Sequence, residues 1–213
     1  MKVSQKMQKV LFPMIRIVKN KEKCIINEIV NIHLMTFEGF FLTFLGKGFL
    51  KQMYTAYTRH SGSGILIDVD DNRVNGFLAY SENLSDLYKY MIKYYLIPFA
   101  WYSLVAFLRN PKVFMRLIRA FLKPNESMRD EKYVELASIG VHPDAKSKGI
   151  GTNLINCLKN RVDFDSFAYI TLETDVYHNE IANKFYVKNE FQVFRKYETY
   201  EGRWLYEYRY SRG

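Results

Sequence analysis

The sequence predicts a single domain, 1–213, of the mixed α+β class. Three observations carry that prediction. A length of 213 residues suits one domain. From Leu11 to Tyr210, short strand-like segments alternate with helix-period segments, as expected where helices pack on a sheet. The alternation is interrupted once, at about 81–131, by a stretch rich in apolar and aromatic residues. Hydrophobic residues at 48% and charged residues at 25% exclude disorder and fibrous repeats and permit a substantial core.

Leu11–Val18 reads as a first strand. After Asn20, Ile25, Ile26, Ile29, Val30 and Leu34 fall on one helical face. A break at Glu38-Gly39 precedes a second helix over Phe40–Tyr57, which carries Gly46 and Gly48 near its start. Ile65–Val69 and Val74–Tyr80 read as a hairpin joined through Asp70–Arg73. Beyond the interruption, Val134–Val141 reads as strand, Lys148–Val162 as helix and Phe167–Glu173 as strand. Asn179–Lys188 then reads as helix, and Phe191–Tyr200 and Arg203–Tyr210 as strands around Glu201-Gly202.

The interruption is expected to hold two or three helices between the third and fourth strands. Its apolar run, Tyr94–Leu108, contains Pro98 and is followed by Arg109. At that length it falls short of the ~20 residues needed to cross a bilayer. Asn110-Pro111 opens a further helix with Lys112, Arg116, Arg119 and Lys123 beside an apolar face, ended by Pro124. From Leu87 to Asn125 there are seven basic residues and no acidic one, within a net charge of +9. Such a segment suits an anionic acceptor or membrane surface. With no recognised nucleic-acid motif, the charge points away from nucleic acid. The two cysteines, Cys24 and Cys157, supply no disulfide framework and no zinc site, and are expected as small buried hydrophobes. The start of the chain lacks a signal-peptide pattern. A cytoplasmic protein is expected, peripheral to the inner face of the membrane if the insertion touches lipid.

Two segments carry chemistry. In the first, a strand beginning near Glu135 runs through Ile139 and Val141 into Lys146-Ser147-Lys148-Gly149-Ile150-Gly151-Thr152 and then a helix. Glycines at a helix entrance let the backbone approach a ligand, and the free N–H groups there attract phosphate. The run lacks the third glycine of a dinucleotide fingerprint and the Gly-Lys-Ser/Thr of a Walker loop. Alone it is equally a tight strand-to-helix turn. The second segment is Asn179-Glu-Ile-Ala182-Asn-Lys-Phe185-Tyr186, followed by Asn189-Glu190-Phe191.

In this order and spacing the two segments resemble the GNAT superfamily of acetyl-coenzyme A-dependent N-acetyltransferases. The first is similar to its pyrophosphate loop, with Lys146 in place of the usual Gln or Arg. The second is similar to its Asn-x-x-Ala-x-x-Phe-Tyr helix, with Asn189-Glu190 where a glycine is usual. Asn189 is expected to take the left-handed turn there. The resemblance implies a mostly antiparallel sheet whose fourth and fifth strands splay apart, acetyl-coenzyme A as cosubstrate, and no metal. It implies that Ile139 and Val141 face the pantetheine arm, with the Val141 N–H polarising the thioester. It also implies that 146–152 cradles the pyrophosphate, that Asn179 touches the coenzyme, that Tyr186 protonates the leaving thiolate, and that Glu135 is a general base. Each has a plainer reading: Tyr186 as a core aromatic, Asn179 as a helix cap, Glu135 as an exposed strand glutamate. His142 and His178 read better as capping or surface residues than as bases.

The acceptor is open. A weaker resemblance to GNAT proteins of bacterial surface-polysaccharide synthesis rests on the Phe40–Gly46 segment, the Leu108–Pro111 run and the Glu201–Arg203 turn. It points to the primary amine of a small acceptor, an amino sugar, attacking the thioester directly. A protein or peptide amine, and a non-catalytic coenzyme-binding or membrane-surface module, are the rivals. A homodimer is a further partner to test. Glu38 is the acidic residue placed to meet an ammonium, though it reads better as a helix-start carboxylate.

Overall fold

The computed structural model describes residues 14–37, 39–70, 73–112, 115, 131–199 and 202–212. In chain order its elements are β1 (Met14–Ile17), α1 (Lys23–Thr36), α2 (Phe41–Tyr57), β2 (Ser63–Asp70), β3 (Arg73–Ser81), α3 (Leu84–Arg109), β4 (Tyr133–Val141), a 3-10 turn (Pro143–Ala145), α4 (Ile150–Arg161), β5 (Tyr169–Asp175), α5 (Glu180–Lys188), β6 (Gln192–Glu198) and β7 (Trp204–Tyr210). The strands form one sheet in the order β1-β2-β3-β4-β5-β7-β6. Its pairings are antiparallel except β4–β5.

Each sheet face buries its own core. On one side α1, α2 and α3 cover β2 and β3 with Ile29, Val30, Leu50, Tyr54 and Leu87 against Ile65, Ile67 and Phe77. On the other, α4 and α5 bring Leu154, Ile155, Leu158 and Tyr186 onto Leu78, Leu136, Ile170 and Leu172. Alternation along the strands divides the two sets. Burying each such side chain contributes about 1.5–3 kcal/mol.

The expected insertion lies between β3 and β4; its first part is longer than expected, and 111, 112 and 115 beyond Asn110 are helical as well. Among its described residues stands one long helix, α3, of 26 residues, which runs through Pro98. Proline deletes one backbone hydrogen bond and costs roughly 3 kcal/mol in a helix interior. Packing on both sides of it holds α3 straight on: Tyr95 is buried and Phe99 stacks on Phe49 at 4.5 Å. The run around Tyr94–Leu108 is therefore not a short segment. It belongs to the one helix, among the described residues, long and apolar enough to cross a membrane by length and composition. Gly48 sets the spacing of α2 and α3, because a Cβ there would sit inside the Tyr102 ring. The expected helix over 110–124 lies almost wholly outside the described residues, with Arg116, Arg119 and Lys123, as does Glu38.

Two smaller expectations fail. Cys24 is exposed and Cys157 half-buried, since Cys24 falls outside the apolar stripe of α1. The left-handed residue after α5 is Glu190 (φ 66°), not Asn189. An L side chain in that conformation costs roughly 1–2 kcal/mol, and Lys159 offsets it. The Lys159 ammonium, 8% exposed, donates to the Asn189 carbonyl at 2.7 Å and to Glu190 Oε2 at 2.8 Å, and lies 3.6 Å from the Tyr210 ring centroid.

Candidate active site at the diverging strands

β4 and β5 pair only over Tyr133–Glu135 with Tyr169–Thr171 and then part. Just past the last pair, β4 carries a bulge. Tyr80 faces Leu136 and Ala79 faces Ser138, leaving Ala137 as the extra residue. A one-residue insertion resets which face each later side chain takes. Ser138 therefore joins Glu135 on the α1–α3 side, while Ile139 and Val141 pack into the α4–α5 core. The same ladder orients the backbone. His142 donates its N–H to the Asn75 carbonyl at 2.7 Å. By antiparallel alternation the N–H groups of Ile139 and Val141 turn the other way, into the gap. Both residues thus turn main-chain N–H groups into the space between the parting strands.

The chain leaves β4 through a tight sequence of turns. His142 caps the 3-10 turn, its Nδ1 accepting from the Asp144 N–H at 3.3 Å. Ser147 (φ 64°) and Gly149 (φ 78°) are left-handed, and α4 starts at Ile150. Alternating hands at a helix entrance gather N–H groups into an anion-binding concavity. Lys146, Ser147, Lys148 and Gly149 are exposed, and nothing lies within 4 Å of where a Gly149 Cβ would be. The loop thus fits a pyrophosphate by geometry and charge. Gly151 does a different job: its missing side chain admits Phe185, 3.0 Å from an added Cβ. Thr152 lies half-buried in the first turn of α4.

α5 delivers Tyr186 to the same core, against Phe185, Phe191 and Tyr208. Burial pushes the Tyr186 phenol pKa up, so the group stays protonated at neutral pH. Asn179 stands at the cap position of α5, but its amide donates to Thr174 Oγ1 on β5 instead of closing the helix.

The opposite face of the gap is built from side chains. Parallel register puts Glu135 level with Thr171, and alternation adds Glu173 to the same face. Around these carboxylates stand three tyrosines. Tyr88 of α3 is raised in pKa by burial of its phenol and then by Glu135 and Glu173, although 40% of the residue is exposed. Tyr57 of α2 is raised by burial, then by Tyr88 and Glu135. The buried hydroxyl of Tyr197 on β6 is raised by burial, then by Glu173. Glu207, fully buried, accepts from Arg195 at 2.7 Å and Arg209 at 2.9 Å. Beside them Tyr54 bridges Ser138 Oγ at 3.3 Å and His33 Nδ1 at 2.7 Å. Burial lowers the His33 pKa to about 4.

Glu135 is half-buried, not an exposed strand residue. Glu173, Tyr57, Tyr88 and Tyr197 went unnoticed in the sequence. Glu173 was visible as an acid in a strand, but its partner strand and register were not. Among the described residues no group of three His, Cys, Asp or Glu side chains could hold a metal ion.

The profile of the acetyltransferase (GNAT) family matches residues 27–191. No curated protein matches the sequence. Three solved structures are similar in fold over nearly the whole chain. An N-acetyltransferase from Staphylococcus aureus Mu50 is 15% identical, with a TM-score of 0.58 over 94% of this chain and 98% of that one. Arabidopsis thaliana NAA60, solved with acetyl-CoA, is 13% identical, with a TM-score of 0.58 over 94% and 98%. A ribosomal-protein-alanine N-acetyltransferase from Brucella melitensis is 12% identical, with a TM-score of 0.57 over 93% and 99%.

Proposed function

The chain belongs to the GNAT acetyltransferase family and uses acetyl-coenzyme A, and from that premise we propose that it acetylates the primary amine of a small acceptor, an amino sugar, by direct attack on the thioester. The observation that carries this reading is the pair Glu135 and Glu173, set with three tyrosines on the face of the gap opposite the 146–152 loop. Two carboxylates draw an ammonium group, and the tyrosines offer ring faces and hydroxyls of the kind that hold a sugar.

The cosubstrate supplies the acetyl thioester. Backbone N–H groups of 147–152, with Lys146 and Lys148, hold its pyrophosphate, and Ile139 and Asn179 bind along its arm. The Val141 N–H stabilises the oxyanion that forms as the amine attacks. A lysine-like amine costs about 4–5 kcal/mol to deprotonate at pH 7. Glu135, at the last paired position before the strands part, takes that proton, and Glu173 holds the cation beforehand. Tyr186, kept protonated by burial, gives its proton to the departing thiolate.

Thiol release measured across amino-sugar, polyamine and peptide acceptors tests the reading. Amino sugars, nucleotide- or lipid-linked forms included, are expected to turn over fastest. A peptide amine that outpaced them would replace the sugar as acceptor. Tyr186→Phe is expected to lower kcat about 100-fold with coenzyme affinity unchanged; a wild-type rate would return Tyr186 to a packing role.

A further inference from the structure

α3 has more apolar surface than the domain uses. One stripe, Leu87, Met91, Tyr95 and Ala106, is buried against the rest of the protein. The other side is apolar too. Ile97, Trp101, Leu104 and Leu108, spaced four, three and four, form one outward ridge and are 83%, 62%, 49% and 69% exposed. Leu96 and Tyr94 flank it, 58% and 59% exposed. Only 17% of the most apolar window of α3 is buried. Scattered surface leucines need no explanation, but a contiguous ridge does. A helix apolar on all sides belongs in a core or in lipid.

Charge says which. Lys93 and Lys89 extend the ridge toward the N-terminus at the same four-residue spacing, and Arg109 and Lys112 are exposed at its far end. Asp86 pairs with Lys89 at 3.2 Å, and from Leu87 onward the helix has no acidic residue. Between Lys93 and Arg109 lie roughly 22 Å of uncharged helix, with an indole and a phenol beside it. Basic ends, an apolar middle and interfacial aromatics match a phospholipid surface lengthwise. A second copy fits worse, because a two-fold contact would set like charges near one another. Crossing the bilayer fits worse again. α3 stays packed on α2 along its length, so α2 would have to bring Lys47 and Lys51 into hydrocarbon.

We propose that α3 docks the protein flat on an anionic membrane surface, with Ile97, Trp101, Leu104 and Leu108 at the acyl boundary and Lys89, Lys93, Arg109 and Lys112 at the lipid phosphates. This rests on the α3 surface alone and is independent of the acceptor assigned above.

The protein has two tryptophans, so Trp204→Phe leaves Trp101 as the sole indole reporter. Vesicles of phosphatidylcholine with about a third phosphatidylglycerol are expected to shift its emission to the blue and to float with the protein. Pure phosphatidylcholine is expected to bind at least tenfold more weakly, since each basic group near an anionic surface adds roughly fivefold. Leu104→Glu should lose vesicle binding at least tenfold while still binding acetyl-coenzyme A. Lys89→Glu with Lys93→Glu should abolish the preference for anionic lipid. No blue shift of Trp101, or equal binding to both vesicles, would overturn the proposal. So would a concentration-dependent dimer, dissolved by Leu104→Glu, in a protein that leaves vesicles alone, which would give the ridge to a second copy.

Discussion

The two faces of the sheet offer different means of holding the ligands proposed for them. On the α4–α5 side the groups proposed to bind are main-chain. The N–H groups of Ile139 and Val141 are turned into the gap by strand alternation, and those of 147–152 are gathered by two left-handed residues at a helix entrance. On the α1–α3 side they are carboxylates and phenols brought from β4, β5, β6, α2 and α3. The main-chain site depends on conformation at very few positions and tolerates changes of side chain elsewhere. The other site depends on the identity of each residue and on the packing that brings distant elements together. A fold built this way can keep its donor and change its acceptor.

Substitutions on the two faces should therefore differ in size and in what they change. Gly149→Glu is expected to have the largest effect. A left-handed L residue costs roughly 1–2 kcal/mol, and a new negative charge near the pyrophosphate adds about 4 kcal/mol at an effective dielectric of 20. Calorimetry should find acetyl-coenzyme A affinity down at least 1,000-fold; unchanged affinity would move the coenzyme away from this loop. Next, Glu135→Gln should cut kcat/KM by about 100-fold or more, with the loss greatest at low pH, where the amine is most protonated. A pH–rate profile parallel to that of the wild type would remove Glu135 as the base.

The third effect is on stability. The His33 pKa falls from 6.5 to about 4 in the folded protein, so between those values the unfolded chain binds a proton that the folded one refuses. The contribution of His33 to stability is complete above pH 6.5, declines as pH falls, and is lost, by roughly 3 kcal/mol, below about 4. His33→Gln should flatten that part of a plot of urea midpoint against pH, and an unaltered slope would assign the acid sensitivity to other groups. The smallest effect is expected at Glu173. Glu173→Gln should raise acceptor KM about tenfold, with kcat and coenzyme affinity nearly unchanged, the pattern of lost ground-state binding. A fall in kcat equal to that of Glu135→Gln would make Glu173 a partner in proton transfer.

The same division explains what the sequence revealed. The coenzyme face is legible because its groups are adjacent in the chain. Gly149, Gly151 and the Asn179–Tyr186 run keep fixed spacings that survive without knowledge of the tertiary structure. The element order was legible for the same reason. The acceptor face was not. Glu135 and Glu173 meet only because β4 and β5 pair in one parallel register, and Tyr88 reaches them from an element that local periodicity could not place. The bulge at Ala137, which sends Ser138 to one side and Val141 to the other, has no local signature in Glu135–Val141. The length of α3 was hidden too: the apolar run Tyr94–Leu108 continues back to Leu84 in one helix, and packing of Tyr95 and Phe99 outweighs the cost of Pro98 within it. At Glu190 a residue with neither the freedom of glycine nor the local hydrogen bonding of asparagine holds the left-handed turn, because Lys159, distant in sequence, supplies the anchor.

The closeness of α3 to α2, set by Gly48 and Tyr102, has a consequence for reach. The two helices pack closely as one layer, and α3 carries Tyr88 beside the paired carboxylates and Trp101 on the outward ridge. Those positions lie roughly 20 Å apart along a single helix axis, so with α3 flat on lipid as proposed the paired carboxylates would be held at a fixed lateral offset from Trp101 and a fixed height above the surface. An acceptor tethered to lipid by a spacer matching that height would meet membrane and active site together, while a shorter one would satisfy only one of them. Selection among chemically identical amines could then operate by length.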